Sequence, residues 1–191
     1  MCSLRPSIKR HPARPSTLLQ PVTKLPTPAK LGWVTADDRA AGEEARRMTA
    51  TLSPAERAFV DAQRVGRLAT VDARGEPHVV PVCYAYDGAR FYSPIDEKPK
   101  RGDRPLKRVR NVQETGRAAL VIDRYDEDWS RLAWVMVRGR AEILEPEHPD
   151  HSKALALLRQ RYPQYQTMAL ERLPVIALMP ERVVSWGALA G

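Results

Sequence analysis

Cysteine is almost absent from this chain: Cys2 and Cys83 are the only two in 191 residues. They can build neither a disulfide framework nor a metal set, which fits a reducing compartment. No run approaches the ~20 apolar residues that a membrane span requires, and the N-terminus carries no hydrophobic signal core, so the sequence reads as cytoplasmic. Glycine-rich dinucleotide or phosphate loops are missing, as is any internal repeat. Metal chemistry has no footing either. His148 and His151 share a His-x-x-His spacing, but no Cys or carboxylate motif stands at a matching distance, and the pair reads as a surface turn and a helix start.

Acidic residues are absent from residues 1–31, which hold six prolines and six Lys/Arg. That composition cannot bury enough surface to offset its ordering entropy, and it predicts disorder. Residues 1–47 hold nine Lys/Arg against four Asp/Glu and so carry +5 of the net charge of +8. The body that follows is only mildly basic, which makes nucleic-acid binding unlikely despite a pI of about 9.8. Met48 directly precedes the point where ordered patterning begins. The hypothesis is therefore that residues 1–47 are a basic, Pro-rich tail from an upstream start choice and residues 48–191 a cofactor-binding domain; intact mass of the native protein decides, and a species carrying the tail sinks the idea.

What is present begins with a helix signal. Ser53 suits an N-cap, Pro54 the first helical position, and Glu56 completes a capping box for a helix running to about Gln63. Three β-rich runs follow, Arg67–Val71, His78–Tyr86 and Arg90–Ser93, joined by Asp72-Ala73-Arg74-Gly75 and Asp87-Gly88, turn chemistry that links antiparallel neighbours. Pro77 and Pro81 cannot donate to a ladder, so a bend and a gap in pairing are expected near Val80–Val82. A basic stretch comes next, with Lys98, Lys100, Arg101, Lys107 and Arg108, and a short helix from Leu106 to Glu114 that ends near Gly116. Strands are predicted over Arg117–Arg124 and Leu132–Leu144, a helix from His151 to about Tyr162 stopped by Pro163, and a last strand over Pro174–Met179 and Arg182–Trp186 interrupted by a Pro-Glu turn. Antiparallel strands with a few outer helices imply an α+β fold, a small β-barrel decorated by helices.

The residues Gly66-Arg67-Leu68-Ala69-Thr70-Val71, Gly75-Glu76-Pro77-His78-Val79-Val80-Pro81-Val82, Phe91-Tyr92-Ser93, Lys107-Arg108-Val109-Arg110-Asn111-Val112, Arg117–Asp123, Asp128-Trp129, Gly139-Arg140-Ala141 and Val184-Ser185-Trp186-Gly187 carry a resemblance. In their order and spacing the chain resembles the split-barrel flavin and deazaflavin oxidoreductases, the class of pyridoxamine 5'-phosphate oxidase, and within it the F420-dependent branch. The resemblance covers about residues 52–187. It implies a mostly antiparallel six-stranded split β-barrel that forms a homodimer, with cofactor sites at the subunit interface. The ring system would lie against the backbone of Val80, Pro81 and Val82 and near Ser93. The phosphate and acidic tail would reach Lys98, Lys100, Arg101, Lys107 and Arg108.

The implied reaction is hydride transfer from reduced F420 to a small organic acceptor, with FMN the alternative cofactor on the same fold. Tyr84, Tyr92 and Trp129 are candidates for the substrate side, and no catalytic acid is evident. The spread of cations exceeds what one terminal phosphate needs, and this favours F420. A non-catalytic flavin, deazaflavin or haem carrier is the reading from another class.

Each signal has a plainer reading beside it. The plainer reading of the basic stretch is a solvated loop, and of the Pro81 break edge protection. Cys83 reads as a small buried hydrophobe, His78 as a half-exposed strand residue, and Arg138 and Arg140 as the exposed face of a strand. Trp186 is either a core anchor or, as the resemblance suggests, part of the interface; core packing is the favoured reading.

Overall fold

The computed structural model describes residues 50–96 and 105–190. The tail of residues 1–47 and the predicted site residues Lys98, Lys100 and Arg101 lie outside the described residues. The elements are α1 (Pro54–Ala62), β1 (Gly66–Val71), β2 (Pro77–Val82), β3 (Ala85–Tyr86), β4 (Phe91–Pro94), α2 (Lys107–Thr115), β5 (Arg117–Arg124), β6 (Ala133–Leu144), α3 (His151–Arg161) and β7 (Val175–Gly187).

Local chemistry sets several of these boundaries. Ser53 Oγ accepts from the Glu56 backbone N–H at 3.3 Å while Glu56 Oε2 accepts from the Ser53 N–H at 2.8 Å, a reciprocal pair that starts α1. Gly116, at φ 63°, closes α2 in the left-handed conformation that glycine adopts without a Cβ penalty. Asp72 Oδ1 accepts from the N–H groups of Arg74 and Glu76 at 3.0 and 2.9 Å, which closes the β1–β2 turn.

All seven strands form one antiparallel sheet in the order β2-β1-β5-β6-β7-β4-β3. The predicted run His78–Tyr86 supplies two of them, so the sheet has one strand more than expected. The gap in pairing does not fall at Val80–Val82; β2 stays in register with β1 through Pro81 opposite Arg67 and Val82 opposite Gly66, and the break falls at Cys83–Tyr84. Because β2 pairs only with β1 at one edge of the sheet, Pro77 and Pro81 turn their missing donors away from any neighbour. β2 and β3 occupy opposite edges yet are separated by two residues, which bridge at most about 10 Å. The sheet must therefore curl until its edges meet, and a half-barrel split at Cys83–Tyr84 results.

β7 also departs from expectation. The Pro-Glu turn is not a turn: β7 runs unbroken, and the register against β6 slips by one residue between Arg138 and Gly139. Arg138 opposes Arg182 and Gly139 opposes Pro180, leaving Glu181 as the extra residue of a β-bulge. A Cβ on Gly139 would stand 1.8 Å from the Met179 carbonyl oxygen, so only glycine fits where the bulged strand crosses.

Alternate residues of β1, β5 and β6 face inward. Leu68, Leu120, Ile122, Val135 and Val137 pack with Ile176 and Leu178 of β7, with Phe59 and Val60 of α1, and with Val109 and Val112 of α2. A second apolar cluster joins α3 (Leu155, Leu158) to Leu144, Tyr162, Tyr165, Leu170 and Tyr92. Each large side chain so buried contributes roughly 1.5–3 kcal/mol. No helix among the described residues is long and apolar enough to cross a membrane.

Candidate functional site

The basic helix α2 lies against β1, close to the edge strand β2. Its N-terminal turn carries Lys107, Arg108 and Arg110 and no acidic residue, so three cations crowd the end where the helix dipole is already positive. Lys107 Nζ donates to Glu76 Oε1 at 2.9 Å, across the turn that begins β2. The Asn111 side-chain N–H₂ donates to Thr70 Oγ1 at 3.1 Å and locks α2 to β1. Between α2 and the β1–β2 turn is a cavity of about 380 Å³ lined by Asp72, Ala73, Arg74, Lys107, Arg110, Asn111 and Glu114.

His78 reports the field here. Burial first, then the positive charges of Lys107 and Arg108, lower its pKa below the ordinary histidine value, so the imidazole is held neutral beside cations. Arg108 itself has its Nε atom buried without a hydrogen-bond partner among the described residues. Burial lowers the pKa of this guanidinium, and the nearby Asp96 opposes that by favouring the charged form. A buried charged donor with an unfilled position is costly unless something accepts from it, and an anionic group of a ligand answers that need.

Arg108, Asp96, Tyr165 and Cys83 form one neighbourhood at the split of the half-barrel. Tyr165 has its hydroxyl pKa raised by burial and then by its hydrogen bond with Cys83, and Asp96 acts in the same direction. Cys83 is half-buried, packed against the second core cluster rather than fully inside it. Sequence reading missed Asp96 and Tyr165 as members of this group, and nothing in the chain marks Tyr165, which arrives from a 3-10 turn far downstream of Ser93.

The remaining predicted residues separate. Val80 is half-buried, Pro81 exposed and Val82 in the core, all on β2, while Ser93 is buried on β4 opposite Ile176. Tyr84 and Tyr92, expected toward the substrate, are core residues, each only 1% exposed. Tyr84 donates its hydroxyl proton to the Val60 carbonyl at 2.7 Å, and the Tyr92 hydroxyl donates to Asp87 Oδ2 at 3.1 Å. Burial raises both phenol pKa values, and neither group faces solvent. Trp129 is 74% exposed on a 3-10 turn between β5 and β6. Trp186 is 54% exposed, opposite Trp134 on the outer sheet face, and does not anchor the core. Among the described residues no group of His, Cys, Asp and Glu could hold a metal.

Comparison with known proteins places these features in context. The pattern of the pyridoxamine 5'-phosphate oxidase family matches residues 52–187. A 5a,11a-dehydrotetracycline/5a,11a-dehydrooxytetracycline reductase of Streptomyces rimosus is 32% identical over 130 residues, which is 68% of this chain and 78% of the relative. A conserved hypothetical protein of Mycobacterium tuberculosis shares the fold with a TM-score of 0.56 at 24% identity, over 74% of this chain and 89% of its own. An FAD-binding protein of Mesorhizobium loti aligns with a TM-score of 0.52 at 25% identity, over 71% of this chain and 93% of its own.

Proposed function

Because the chain belongs to the pyridoxamine 5'-phosphate oxidase family, we propose that it is a cytoplasmic oxidoreductase that binds a flavin-type cofactor, F420 in preference to FMN, and reduces a small organic acceptor. The observation that carries this reading is the buried, unpartnered Nε of Arg108 beside the cation-rich start of α2. It fits an anionic cofactor arm, because a guanidinium offers paired donors to phosphate or carboxylate while Lys107 adds a mobile point charge.

Arg108 would hold the arm nearest the barrel split, with Lys107 and Arg110 spreading further charge along α2. Lys98, Lys100 and Arg101 belong to the same proposal. The backbone of Val80–Val82 on the edge strand, where Pro81 leaves the ladder open, offers a flat wall for the ring, with Ser93 near its end. When bound, the reduced cofactor supplies a hydride; the chain orients it, limits water and shapes the acceptor pocket. No side chain is assigned as acid, and a proton from solvent completes the reduction. The family and the tetracycline reductase relative support the oxidoreductase reading, and dehydrotetracyclines are the first acceptors to try.

A homodimer is part of the proposal. Trp186 stands 54% exposed beside Trp134 on the outer face of the sheet, and an exposed aromatic of this size suits an interface between two copies. Sedimentation of Trp186→Glu checks this, with a shift to monomer expected.

Fluorescence titration of the full chain with F420 and with FMN tests the cofactor reading. Tighter F420 binding, weakened about tenfold by Arg108→Ala and somewhat less by Lys107→Ala, is expected from the loss of charge-assisted hydrogen bonds. Preferential FMN binding would move the protein to flavin chemistry, and binding of neither would remove the oxidoreductase reading.

A further inference from the structure

Three arginines from separate parts of the chain meet at a cavity of about 320 Å³ between α1, β3 and α3. Arg57 lies on α1, Arg64 just past its end, and Arg161 at the last position of α3. Positions 57, 61 and 64 keep helical spacing, so Arg57, Asp61 and Arg64 share one side of α1. Each guanidinium is laid over an aromatic ring. Arg57 stands 4.9 Å from the Tyr86 ring centre, Arg64 4.9 Å from that of Tyr162, and Arg161 5.1 Å from that of Tyr84. Stacking fixes the plane of a guanidinium without consuming its N–H donors, which point outward in that plane.

The donors divide unequally. Arg161, with its side chain 15% exposed, donates from Nη2 to the Val60 and Gln63 carbonyls and from Nε to the Tyr162 hydroxyl, and so forms a fixed wall that ties α3 to α1. Arg57 Nε donates to Asp61 Oδ2 at 2.7 Å and its Nη2 reaches the Tyr86 carbonyl at 3.5 Å, while its Nη1 has no acceptor among the described residues. Arg64 Nη2 donates to the Arg161 carbonyl at 2.6 Å, and no described carboxylate pairs with this arginine. Asp61 is the one carboxylate among the described residues that line the cavity, and its second oxygen lies 3.9 Å from Arg161 Nη1. Three guanidiniums against one carboxylate leave two positive charges in excess. The surface between them is apolar, made of Ala85, Leu157 and the Tyr86 ring, with the Gln160 amide at its side. No residue of α2, β1, β5, β6 or β7 lines this cavity, so it is separate from the candidate cofactor site and from the sheet face assigned to a second copy.

We propose that this cavity is a second ligand site, one that takes a small aliphatic dicarboxylate. One carboxylate meets Arg57, the other meets Arg64, and the methylene chain between them covers Ala85 and Leu157. Both ends are ionised near neutral pH, which matches the two excess positive charges, and each end accepts paired N–H donors from a guanidinium fork. A compact anion such as phosphate would reach one arginine and leave the apolar strip uncovered. Asp61 opposes binding, because it occupies Arg57 Nε and repels an incoming carboxylate.

The probe is adipate, titrated into the full chain by isothermal calorimetry, with hexanoate and inorganic phosphate as partial ligands. Adipate is expected to bind more tightly than either. Arg57→Ala and Arg64→Ala should each weaken it about tenfold through the loss of charge-assisted hydrogen bonds, and Arg172→Ala, outside the cavity, should leave it unchanged. Asp61→Asn should strengthen it, a gain that a poorly folded variant could not imitate. Arg108→Ala should not alter it, which separates this site from the cofactor site. Hexanoate or phosphate binding as tightly as adipate overturns the proposal, as does equal binding by wild type and the Arg57 and Arg64 variants. So does loss of binding in Arg108→Ala, or the absence of tightening in Asp61→Asn.

Discussion

Two regions of this molecule treat their polar groups in opposite ways. Around β3, β4 and α3 the carboxylate of Asp87, the phenols of Tyr84, Tyr92 and Tyr162 and the cations Arg90, Lys153, Arg159 and Arg161 are all tied down. Asp87, with its side chain 8% exposed, accepts from the Ala89 and Arg90 N–H groups, from Lys153 Nζ at 2.6 Å and from the Tyr92 hydroxyl. The single Tyr162 hydroxyl proton lies within reach of the Arg64 and Tyr84 carbonyls while its oxygen accepts from the Tyr84 N–H, and Arg161 donates to the Val60 and Gln63 carbonyls. At α2 and on the outer sheet face, by contrast, Arg108 Nε, Arg138 and Arg182 stand without partners among the described residues. Closed polar networks rigidify a core. A buried donor without a partner is costly until something accepts from it, so the difference separates polar groups that maintain the fold from polar groups that do not.

The largest effect should come from breaking the backbone that makes the open face. Gly139→Ala forces a Cβ into the Met179 carbonyl and should cost on the order of 4 kcal/mol, read as a lower midpoint in urea; a variant as stable as wild type would mean the bulge relaxes freely. Next comes the closed region. Burial acts to raise the Asp87 pKa, but the Lys153, Arg90, Ala89 and Tyr92 hydrogen bonds overcome it and hold the group down to about 2. Its carboxylate therefore stabilises the fold fully above the ordinary value near 3.8, and that contribution fades as pH falls through about 2. Asp87→Asn should lose about 2 kcal/mol at neutral pH and flatten the acid limb of the stability curve.

A smaller loss is expected from Tyr84→Phe, about 1 kcal/mol for one buried hydrogen bond to Val60, measured by thermal melting. Smallest in energy, but most informative about the open region, is the titration of His78 by NMR. Its midpoint should lie below 6.5 and move upward in Lys107→Gln, since a neighbouring cation that disfavours imidazolium has gone. A midpoint indifferent to Lys107 would detach His78 from the candidate site.

Much of the framework was legible in the chain because it is written in short-range chemistry. The Ser53–Glu56 capping box, the end of α2 at Gly116, the strand Arg117–Arg124 and the stop of α3 before Pro163 each depend on residues within a turn of one another. The site was legible only as a basic stretch. Which of its cations is buried without a partner, Arg108 rather than Lys107, depends on Glu76 arriving from the β1–β2 turn and on Tyr165 arriving from beyond α3. Tyr84 and Tyr92 looked like pocket residues because aromatic strand positions serve either purpose, and the helices packed over them decide.

The sequence alone thus determined where helices start and stop and which strand faces are apolar, since periodicity, caps and turn residues act over a few positions, and its motifs in their order carried the resemblance to split-barrel proteins. Tertiary structure decided the rest. It split one predicted run into the two edge strands, turned a Pro-Glu pair into a bulge, left Trp186 outside the core, and set Arg138 against Arg182. Those outcomes hang on the register between strands far apart in the chain, and register is fixed by cooperative packing that no local pattern encodes.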